Sequence, residues 1–210
     1  MTTDGRQQLL IFPCNGNGIE AIDCLGDVFQ MVGFIDDTLE KQGTRVLGYP
    51  VYGRDILNQM SEAQVLAVPG SPTSFQKREK TIDSLGLSSD RFATVIHPAA
   101  RVSRAVSLGR NILVMAGVVI TSNAAIGDPV CILPNSVIHH DAVIGDWSLV
   151  GSNVTVAGHT EIGRNCYIGS GTSIMNGLRI GDGALVGLGS NVIRSVLPST
   201  RVAGNPARPI

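Results

Sequence analysis

The sequence predicts an α/β, Rossmann-like unit over residues 1–93, followed by an all-β parallel β-helix over residues 94–210. Three observations predict this division. Apolar runs alternate with helical patterns at the start, every sixth residue from Ile96 onward is aliphatic, and residues 73–93 resemble one more helix and a linker. A chain of 210 residues is long enough for each unit to bury its own core.

The first unit alternates strand-like and helix-like segments between residues 8 and 72. In order, they are QLLIF, GIEAIDCLGDVFQ, MVGFIDD, GRDILNQM and AQVLAVPG. The loop PCNGNG follows the first strand, and two aspartates end the second, which is where such units contact the phosphate and ribose of a nucleotide. A GxG pattern also occurs in plain turns, so this order of segments is what favours binding. The predicted nucleotide contacts are Asn15, Gly16, Asn17, Gly18, Asp36 and Asp37.

The second unit is built on a six-residue repeat. Seventeen successive positions from Ile96 to Val192, spaced by six, are all Ile, Val or Leu. This period fits a short strand plus a corner, so three hexads close one triangular coil with the aliphatic residues stacked inside. Every third hexad also carries a glycine after its aliphatic residue, which we interpret as a tight corner with positive φ. These glycines are Gly109, Gly127, Gly145, Gly163 and Gly181.

Charge and hydropathy narrow the range of partners. The net charge of −1 and the 16 % of charged residues argue against nucleic acid or anionic membranes, which require clustered Lys and Arg. The apolar run at residues 112–120 is too short to span a bilayer, and the start MTTDGRQQLLIFPC lacks the apolar region of a signal peptide. We therefore expect a cytoplasmic protein without membrane insertion. Its four cysteines show no CxxC spacing, which favours reduced buried thiols over disulfides or a zinc site.

Both units in this order, with GFIDD, VLGYPVYGRDIL and the terminal VAGNPAR, resemble the bacterial nucleotide-sugar acetyltransferases of the sialic acid O-acetyltransferase-like family. The resemblance covers nearly the whole chain. It implies a left-handed β-helix of the hexapeptide-repeat superfamily, a homotrimer, acetyl-CoA bound between neighbouring β-helices without a metal, and a nucleotide-linked amino sugar on the first unit. The best-described members N-acetylate the 4-amino group of a dideoxy sugar destined for surface polysaccharide or glycan. The terminal motif implies acetyl-CoA contacts at Pro206, Ala207 and Arg208.

Two histidines offer the chemistry that such a transfer needs. His139 and His140 follow Ile138 at a corner of the coil. An amine that attacks a thioester must lose a proton, and imidazole, with a pKa of about 6.5, accepts one at neutral pH. The thioester oxygen gains charge and needs a hydrogen-bond donor, which a glycine N–H can supply.

The family motif assigns these roles to particular residues. It consists of a histidine followed by an acidic residue, matched by His140 and Asp141, and a glycine one coil later, matched by Gly158. The resemblance thus implies that His140 is the base, Asp141 orients it and Gly158 binds the oxyanion. His159 lies next to Gly158 and is expected to line the acetyl-CoA pocket, as His139 is.

The chain departs from the family at two positions. Many relatives have a histidine where Asn17 lies in the nucleotide loop, and another where Leu149 lies after the His–Asp motif. These departures concern the sugar-phosphate contacts and part of the acetyl-CoA pocket. Trp147 occupies an outward corner position that suits either the pocket or a trimer seam.

Three alternative functions compete with N-acetylation. The same scaffold serves O-acetylation of sialic acid or a related sugar, and the residue types do not separate the two reactions. A γ-type carbonic anhydrase would need a His-x4-His pair that the sequence lacks. A non-catalytic β-helix scaffold is the third alternative, and the unbroken repeat together with the His–Asp motif argues against it. The sequence does not distinguish UDP, dTDP and GDP sugars.

Overall fold

The computed structural model describes residues 5–210. Residues 1–4, which belong to the predicted first unit and to the start of the chain where we expected no signal peptide, lie outside the described part. The chain folds into a mixed α/β sheet unit followed by a parallel β-helix. The first strand of the β-helix begins at Val95, next to the predicted boundary. No helix within residues 5–210 is long and apolar enough to cross a bilayer.

The N-terminal unit is a five-stranded sheet with short helices. Its elements are β1 (Gln7–Phe12), α1 (Gly16–Glu20), β2 (Phe29–Ile35), β3 (Arg45–Val46), β4 (Tyr49–Tyr52), α2 (Ile56–Gln59), β5 (Gln64–Ala67) and α3 (Arg78–Asp83). The strand order is β3-β4-β2-β1-β5, parallel except for the β3–β4 hairpin. The chain moves from β1 to β2 on one side and returns to β5 on the other. The carboxyl end of β1 is therefore the switch point at which open α/β sheets form a crevice.

Two local features differ from the sequence prediction. The first predicted helix, at residues 18–30, is shorter: α1 ends at Glu20, a 3-10 turn reaches Cys24, and β2 begins at Phe29. Gly26 adopts a left-handed φ of 54°, which ends the helical segment. The β3–β4 hairpin was not predicted. Its two turn residues, Leu47 and Gly48, both have positive φ, as tight hairpin turns require.

The coils of the β-helix consist of two-residue strands. They are β6 (Val95–Ile96), β7 (Arg101–Val102), β8 (Ser107–Leu108), β9 (Leu113–Val114), β10 (Val119–Ile120), β11 (Ala125–Ile126), β12 (Cys131–Ile132), β13 (Val137–Ile138), β14 (Val143–Ile144), β15 (Leu149–Val150), β16 (Thr155–Val156), β17 (Glu161–Ile162), β18 (Tyr167–Ile168), β19 (Ser173–Ile174), β20 (Arg179–Ile180), β21 (Leu185–Val186) and β22 (Asn191–Val192). A closing hairpin pairs β23 (Arg201–Gly204) with β24 (Ala207–Pro209). Successive coils pair in parallel at a spacing of 18 residues, as Val137 does with Thr155, so the predicted coil length is confirmed.

The coils form three faces. Face 1 contains every third strand from β6 to β21 and ends in the β23–β24 hairpin; face 2 runs from β7 to β22, and face 3 from β8 to β20. The second residue of nearly every strand points inward. Ile120, Ile138 and Val156 form part of this stack and are at most 1 % exposed. Burying each such side chain contributes about 1.5–3 kcal/mol, which explains why the aliphatic repeat continues without a break.

The glycines at every third hexad do not have the positive φ that we predicted. Gly127 and Gly163 lie so close to the next coil that an added Cβ would collide with Asp146 and Asp182, respectively. The left-handed residue instead comes two positions later, as at Asn165, with φ 52°. Close approach of the coils therefore requires the glycines, and asparagine, which tolerates positive φ, takes several of the turn positions.

Face 1 packs against the N-terminal unit. Its outward residues from β6 to β21 are apolar, and Leu113, Cys131 and Leu149 share a buried core with Leu9 and Ile11 of β1. This shared core joins the two units across a whole face of the β-helix. Removing the N-terminal unit would expose that apolar surface.

A buried arginine and a buried asparagine fasten this junction. The Arg78 guanidinium donates to the carbonyl oxygens of Pro69, Pro129 and Trp147. Burial disfavours its charged form and lowers the pKa of Arg78 to about 10. Oδ1 of Asn111 accepts a hydrogen bond from the N–H of Ala67, at the end of β5, at 2.8 Å, and Nδ2 donates to the Ala67 carbonyl at 3.1 Å. The end of β5 is thereby fixed to the coils.

Trp147 belongs to this junction. It has a φ of 68° at the corner between faces 3 and 1, and its side chain packs against the core that contains Ile82 of α3. Together with Phe92 and Leu87 it lines a cavity of about 230 Å³. Trp147 therefore contacts the N-terminal unit of its own chain, a contact that the sequence did not predict.

Candidate functional site

A hydrogen-bonded histidine–aspartate pair occupies the corner between faces 2 and 3. The chain leaves β13 at Ile138 and turns through His139, His140 and Asp141, where Asp141 adopts a left-handed φ of 58°. Nδ1 of His140 lies 2.8 Å from Oδ2 of Asp141. Nδ2 of Asn123, one coil earlier, donates to the other carboxylate oxygen at 3.3 Å.

The hydrogen bonds of Asp141 determine which nitrogen of His140 is free. The bond from His140, and after it the one from Asn123, lowers the pKa of the Asp141 carboxyl below its usual range. An ionised carboxylate only accepts hydrogen bonds, so Nδ1 of His140 carries the hydrogen. Nε2 keeps its lone pair, and the side chain is 54 % exposed. His140 can therefore accept a proton from a bound molecule.

Gly158 lies directly beside this imidazole on the next coil. A Cβ added to Gly158 would lie 2.7 Å from both Cε1 and Nε2 of His140, so only glycine leaves room for the ring. Within residues 5–210 no atom accepts a hydrogen bond from the Gly158 N–H. Gly158 is itself buried, and its N–H is an unpaired donor next to His140 of the kind that binds an oxygen gaining negative charge.

His159 completes the cluster. Its backbone N–H donates to the His140 carbonyl at 3.1 Å, and its φ is 56°. Nε2 of His159 lies 3.8 Å from Oδ2 of Asp141, and the two imidazole rings meet edge to face with centroids 5.1 Å apart. Asp141 thus lies between two imidazoles, whereas the sequence predicted only that His159 lines the acetyl-CoA pocket.

The predicted nucleotide loop follows β1 at the switch point of the sheet. Asn15 caps α1 by accepting a hydrogen bond from the Gly18 N–H at 2.9 Å. Gly18 packs so tightly that an added Cβ would collide with the carbonyl of Pro13. Gly16 is exposed and Asn17 is half-buried. The backbone of the loop is therefore fixed, while Gly16 and Asn17 face the space in front of it.

The two aspartates after β2 hold this region together. Asp36 is only 4 % exposed. Its oxygens accept hydrogen bonds from Cys14 N–H at 3.1 Å, Thr38 N–H at 2.9 Å and Lys41 Nζ at 2.9 Å. Burial raises the pKa of Asp36, and the bonds from Lys41 and Thr38 outweigh this effect and lower it. These bonds hold Asp36 against the loop, and its predicted contact with a ribose stays a prediction. Asp37 is exposed and forms an ion pair with Arg54, whose Nε lies 2.6 Å from Oδ1 of Asp37.

A cavity of about 200 Å³ lies between the loop and face 1. Asn17 lines it from the loop, Gly70 and Ser71 from the segment after β5, and Leu149 and Tyr167 from the β-helix. Both positions at which the chain departs from the family, Asn17 and Leu149, thus lie in one cavity.

The predicted site residues occupy three separate places on the chain. His140, Asp141, Gly158 and His159 meet at the corner between faces 2 and 3. The nucleotide loop and its cavity lie against face 1. Pro206, Ala207 and Arg208 lie in the terminal hairpin of face 1. Its strands are the fourth and fifth along that face from β12, which shares a coil with His140. A single chain does not bring these three groups together.

Sequence reasoning missed two polar residues near these places. Asn123 lies one coil, or 18 residues, before Asp141, so the repeat itself contained the signal for this contact. Lys41 bonds Asp36 and the Cys14 carbonyl, at 2.7 Å for the latter. No sequence motif indicates that Lys41 contacts Asp36, because Lys41 lies in a 3-10 turn, Leu39–Lys41, that was not predicted.

The chain has the features of a hexapeptide-repeat β-helix protein: 18-residue coils, glycines at the corners and an exposed His–Asp pair. Two family models match it: the bacterial transferase hexapeptide (six repeats) at residues 123–158, and the hexapeptide repeat of succinyl-transferase at residues 100–122, 141–176 and 159–194. No curated protein is matched by the sequence.

Three solved structures resemble nearly the whole chain. The acetyltransferase domain of PglB from Neisseria gonorrhoeae FA1090, in complex with acetyl coenzyme A, is 25 % identical over 98 % of this chain and 100 % of that one, with a TM-score of 0.86. A histidine-to-asparagine mutant of perosamine N-acetyltransferase from Caulobacter crescentus, in complex with CoA and GDP-perosamine, is 28 % identical over 97 % and 96 %, with a TM-score of 0.83. WeeI from Acinetobacter baumannii AYE is 27 % identical over 98 % and 100 %, with a TM-score of 0.78. The chain is a hexapeptide-repeat acetyltransferase related to these proteins.

Proposed function

We propose that the protein transfers the acetyl group of acetyl-CoA to the 4-amino group of a nucleotide-linked amino-dideoxy sugar, as a step in surface polysaccharide or glycan synthesis. One observation carries the proposal: His140, fixed by Asp141, presents a free Nε2 beside the unpaired N–H of Gly158. A general base and an oxyanion donor side by side are what acyl transfer to an amine requires.

The reaction uses both groups in one sequence. The sugar amine attacks the thioester carbonyl carbon, forming the C–N bond, while Nε2 of His140 accepts a proton from the nitrogen. Asp141 stabilises the imidazolium through Nδ1–H, and the Gly158 N–H binds the oxygen that gains charge. The C–S bond then breaks, and His140 returns the proton to the departing CoA thiolate. No metal takes part in these steps.

The choice of a nucleotide sugar rests on the N-terminal unit. The loop of Asn15 to Gly18 lies at the switch point of the sheet, where open α/β sheets bind nucleotides, and its cavity is lined by Asn17 and Ser71. A related enzyme was crystallised with GDP-perosamine and CoA, and another with acetyl coenzyme A. Asn15 and Gly18 form the frame of the site, with Gly16 and Asn17 toward the ligand and Asp36 as a support of the loop.

An apolar strip beside His140 fits the pantetheine arm of acetyl-CoA. Ala157, Met175 and Ile193 follow one another on successive coils at the same corner, and Met175 and Ile193 are 46 % and 45 % exposed. Exposed apolar side chains in a row favour an apolar ligand or a protein surface. The Pro206–Arg208 segment is expected to complete this pocket from a neighbouring chain.

A homotrimer is the assembly that we propose for this reason. The His–Asp corner, the cavity and the terminal hairpin are separate on one chain, so another copy must bring the sugar and acetyl-CoA to His140. Sedimentation equilibrium at micromolar concentration should give the trimer mass; a fully active monomer would contradict this assembly. As a sharper test, His140→Ala chains co-expressed with Asn17→Trp chains, which block the cavity, should regain activity in mixed trimers.

The proposed function is tested by turnover. Purified full-length protein should release CoA thiol from acetyl-CoA with at least one of the UDP-, dTDP- or GDP-linked 4-amino sugars, and mass spectrometry should find an added acetyl group on the sugar nitrogen. Sialic acid belongs in the same panel, because turnover on its hydroxyls would favour O-acetylation instead. Acetyl-CoA binding without turnover on any acceptor would favour a scaffold.

The placement of nucleotide binding in residues 1–93 needs a test on the full chain. A truncated chain from residue 94 would expose the apolar outer residues of face 1, such as Leu113 and Leu149, so its failure would be uninformative. We expect Asn17→Trp to raise KM for the nucleotide sugar and to leave the affinity for acetyl-CoA unchanged. We also propose that the chain works in the cytoplasm, since its four cysteines lack CxxC spacing and are all buried.

A further inference from the structure

The cluster at the His–Asp corner also has the composition of a metal site. His140, Asp141 and His159 each offer one ligand atom, and these atoms all lie within 4.8 Å of one another. Within residues 5–210 no other group of three His, Cys, Asp or Glu side chains comes this close. We propose that this cluster binds a divalent transition-metal ion, Zn²⁺ by its ligand types, and that the bound ion inhibits acetyl transfer.

The spacing of the ligand atoms fits a tetrahedral ion. With bonds of about 2.0–2.1 Å, two ligands of such an ion lie about 3.3 Å apart. Here Nδ1 of His140 is 2.8 Å from Oδ2 of Asp141, and Nε2 of His159 is 3.8 Å from the same oxygen. These two distances lie on either side of the ideal one, and the two histidine nitrogens lie within 4.8 Å of each other, so side-chain rotations must draw the histidines together around the ion.

The chemistry of the ligands selects the ion. Imidazole nitrogen and carboxylate oxygen are ligands of Zn²⁺, whereas Mg²⁺ prefers six oxygens and keeps several waters. Three protein ligands leave a fourth position open to water. The side chains of His140 and His159 are 54 % and 66 % exposed, so an ion reaches them directly from solvent.

The turns of the corner fix the backbone of its ligands before any ion arrives. Asp141 and His159 occupy equivalent left-handed turn positions on consecutive coils, with φ of 58° and 56°. The His159 N–H is bonded to the His140 carbonyl, and Asn123 bonds the second oxygen of Asp141. Partners of this kind orient metal ligands in established sites.

Inhibition follows because the ion would bind Nδ1 of His140. The inhibitory part of the proposal rests on the proposed function. A metal on Nδ1 of His140 displaces the hydrogen that this nitrogen donates to Asp141. The neutral ring then carries its hydrogen on Nε2 and has no lone pair left for the sugar amine. The ion also takes Asp141 away from its orienting role.

Binding is tested directly on the full-length protein, independently of turnover. Titration with Zn²⁺ in a calorimeter should give one site per chain, and Co²⁺ should produce the visible absorption of a tetrahedral N/O site. His159→Asn should weaken Zn²⁺ binding by at least about 10–100-fold, the loss that even outer-shell changes cause. His139→Asn, the adjacent histidine outside the cluster, is the matched control and should bind as the wild type does. Absence of binding, or equal affinity in the His159→Asn protein, would overturn the site.

The inhibitory effect has its own measurement. Initial rates should fall as Zn²⁺ fills the site, recover with EDTA, and require a 10–100-fold higher Zn²⁺ concentration in His159→Asn, judged against that variant's own metal-free rate. Full site occupancy with an unchanged rate would refute inhibition. If the metal-free wild type turned over no acceptor, the proposed function would fail, while the calorimetric result would still decide the site.

Discussion

Gly158→Ala is the substitution that tests the geometry of the site most directly. The new Cβ would lie 2.7 Å from Cε1 and Nε2 of His140, where non-bonded carbon atoms prefer about 3.5–4.0 Å. The ring must therefore retreat by about 1 Å. A displacement of this size costs about 10²-fold in rate, or about 2.7 kcal/mol of transition-state stabilisation.

Gly158→Ala should displace the His140 ring without disturbing the backbone. Alanine keeps the N–H that is proposed to bind the oxyanion, and Gly158 is not in the left-handed region, so the fold should tolerate the methyl group. The His140 ring is exposed and can swing toward solvent, so stability should change little. We expect kcat to fall about 10²-fold, with both ligands still bound.

Thiol release with saturating substrates is the assay, and a double variant is the control. In a His140→Ala background there is no ring to displace, so adding Gly158→Ala should produce no further loss. A wild-type kcat for Gly158→Ala would show that the ring position does not matter to the reaction. An equal loss in both backgrounds would show that Gly158 acts independently of His140.

Three further predictions concern the base, the junction and the loop. His140→Ala should lower kcat by about 10²–10⁴-fold with unchanged ligand affinities, and Asp141→Asn by less, since the imidazole remains. Steady-state kinetics measures both, and a His140→Ala enzyme with normal kcat would refute the role of His140 as the base. Arg78→Met leaves three buried carbonyls without a donor and should cost about 3 kcal/mol or more in urea unfolding, so an unchanged midpoint would contradict the junction. The pKa of Asp36 lies below its unfolded value of about 3.9, so its bonds stabilise the fold above that pH and are lost as pH falls through the folded value. Lys41→Met should thus lower the unfolding free energy at pH 6 and make less difference in acid, whereas a constant difference would refute the assignment.

The β-helix could be predicted from the sequence because a single period determines it. Each inward side chain repeats at six residues and each coil at 18, so the neighbours of His140 on the next coil, Gly158 and His159, follow from counting. The approach of His159 Nε2 to within 3.8 Å of Asp141 Oδ2 did not follow, because it depends on two left-handed turns. The corner glycines were misassigned for the same reason: spacing identifies a special position without saying whether φ or close packing requires glycine.

The N-terminal unit was less predictable because tertiary contacts set its details. The helical pattern after the nucleotide loop continued past Cys24, but Gly26 and the strand that follows ended it earlier. The roles of Asp36 and Arg78 depend on partners that are distant in sequence: the Cys14 N–H for Asp36, and the Pro129 and Trp147 carbonyls for Arg78. No local pattern distinguishes a carboxylate that supports a loop from one that contacts a ribose.

The three-faced stacking limits how the length of this chain can change in evolution. Six added or lost residues keep every aliphatic side chain inside but turn the rest of the β-helix by one corner, which would carry Gly158 away from His140 if it happened between them. Eighteen residues, one whole coil, leave every corner in place. The segment from His140 to Gly158 must therefore keep its length, whereas whole coils beyond Ile180 can be gained or lost with the His–Asp corner intact and only the distance to the terminal hairpin altered.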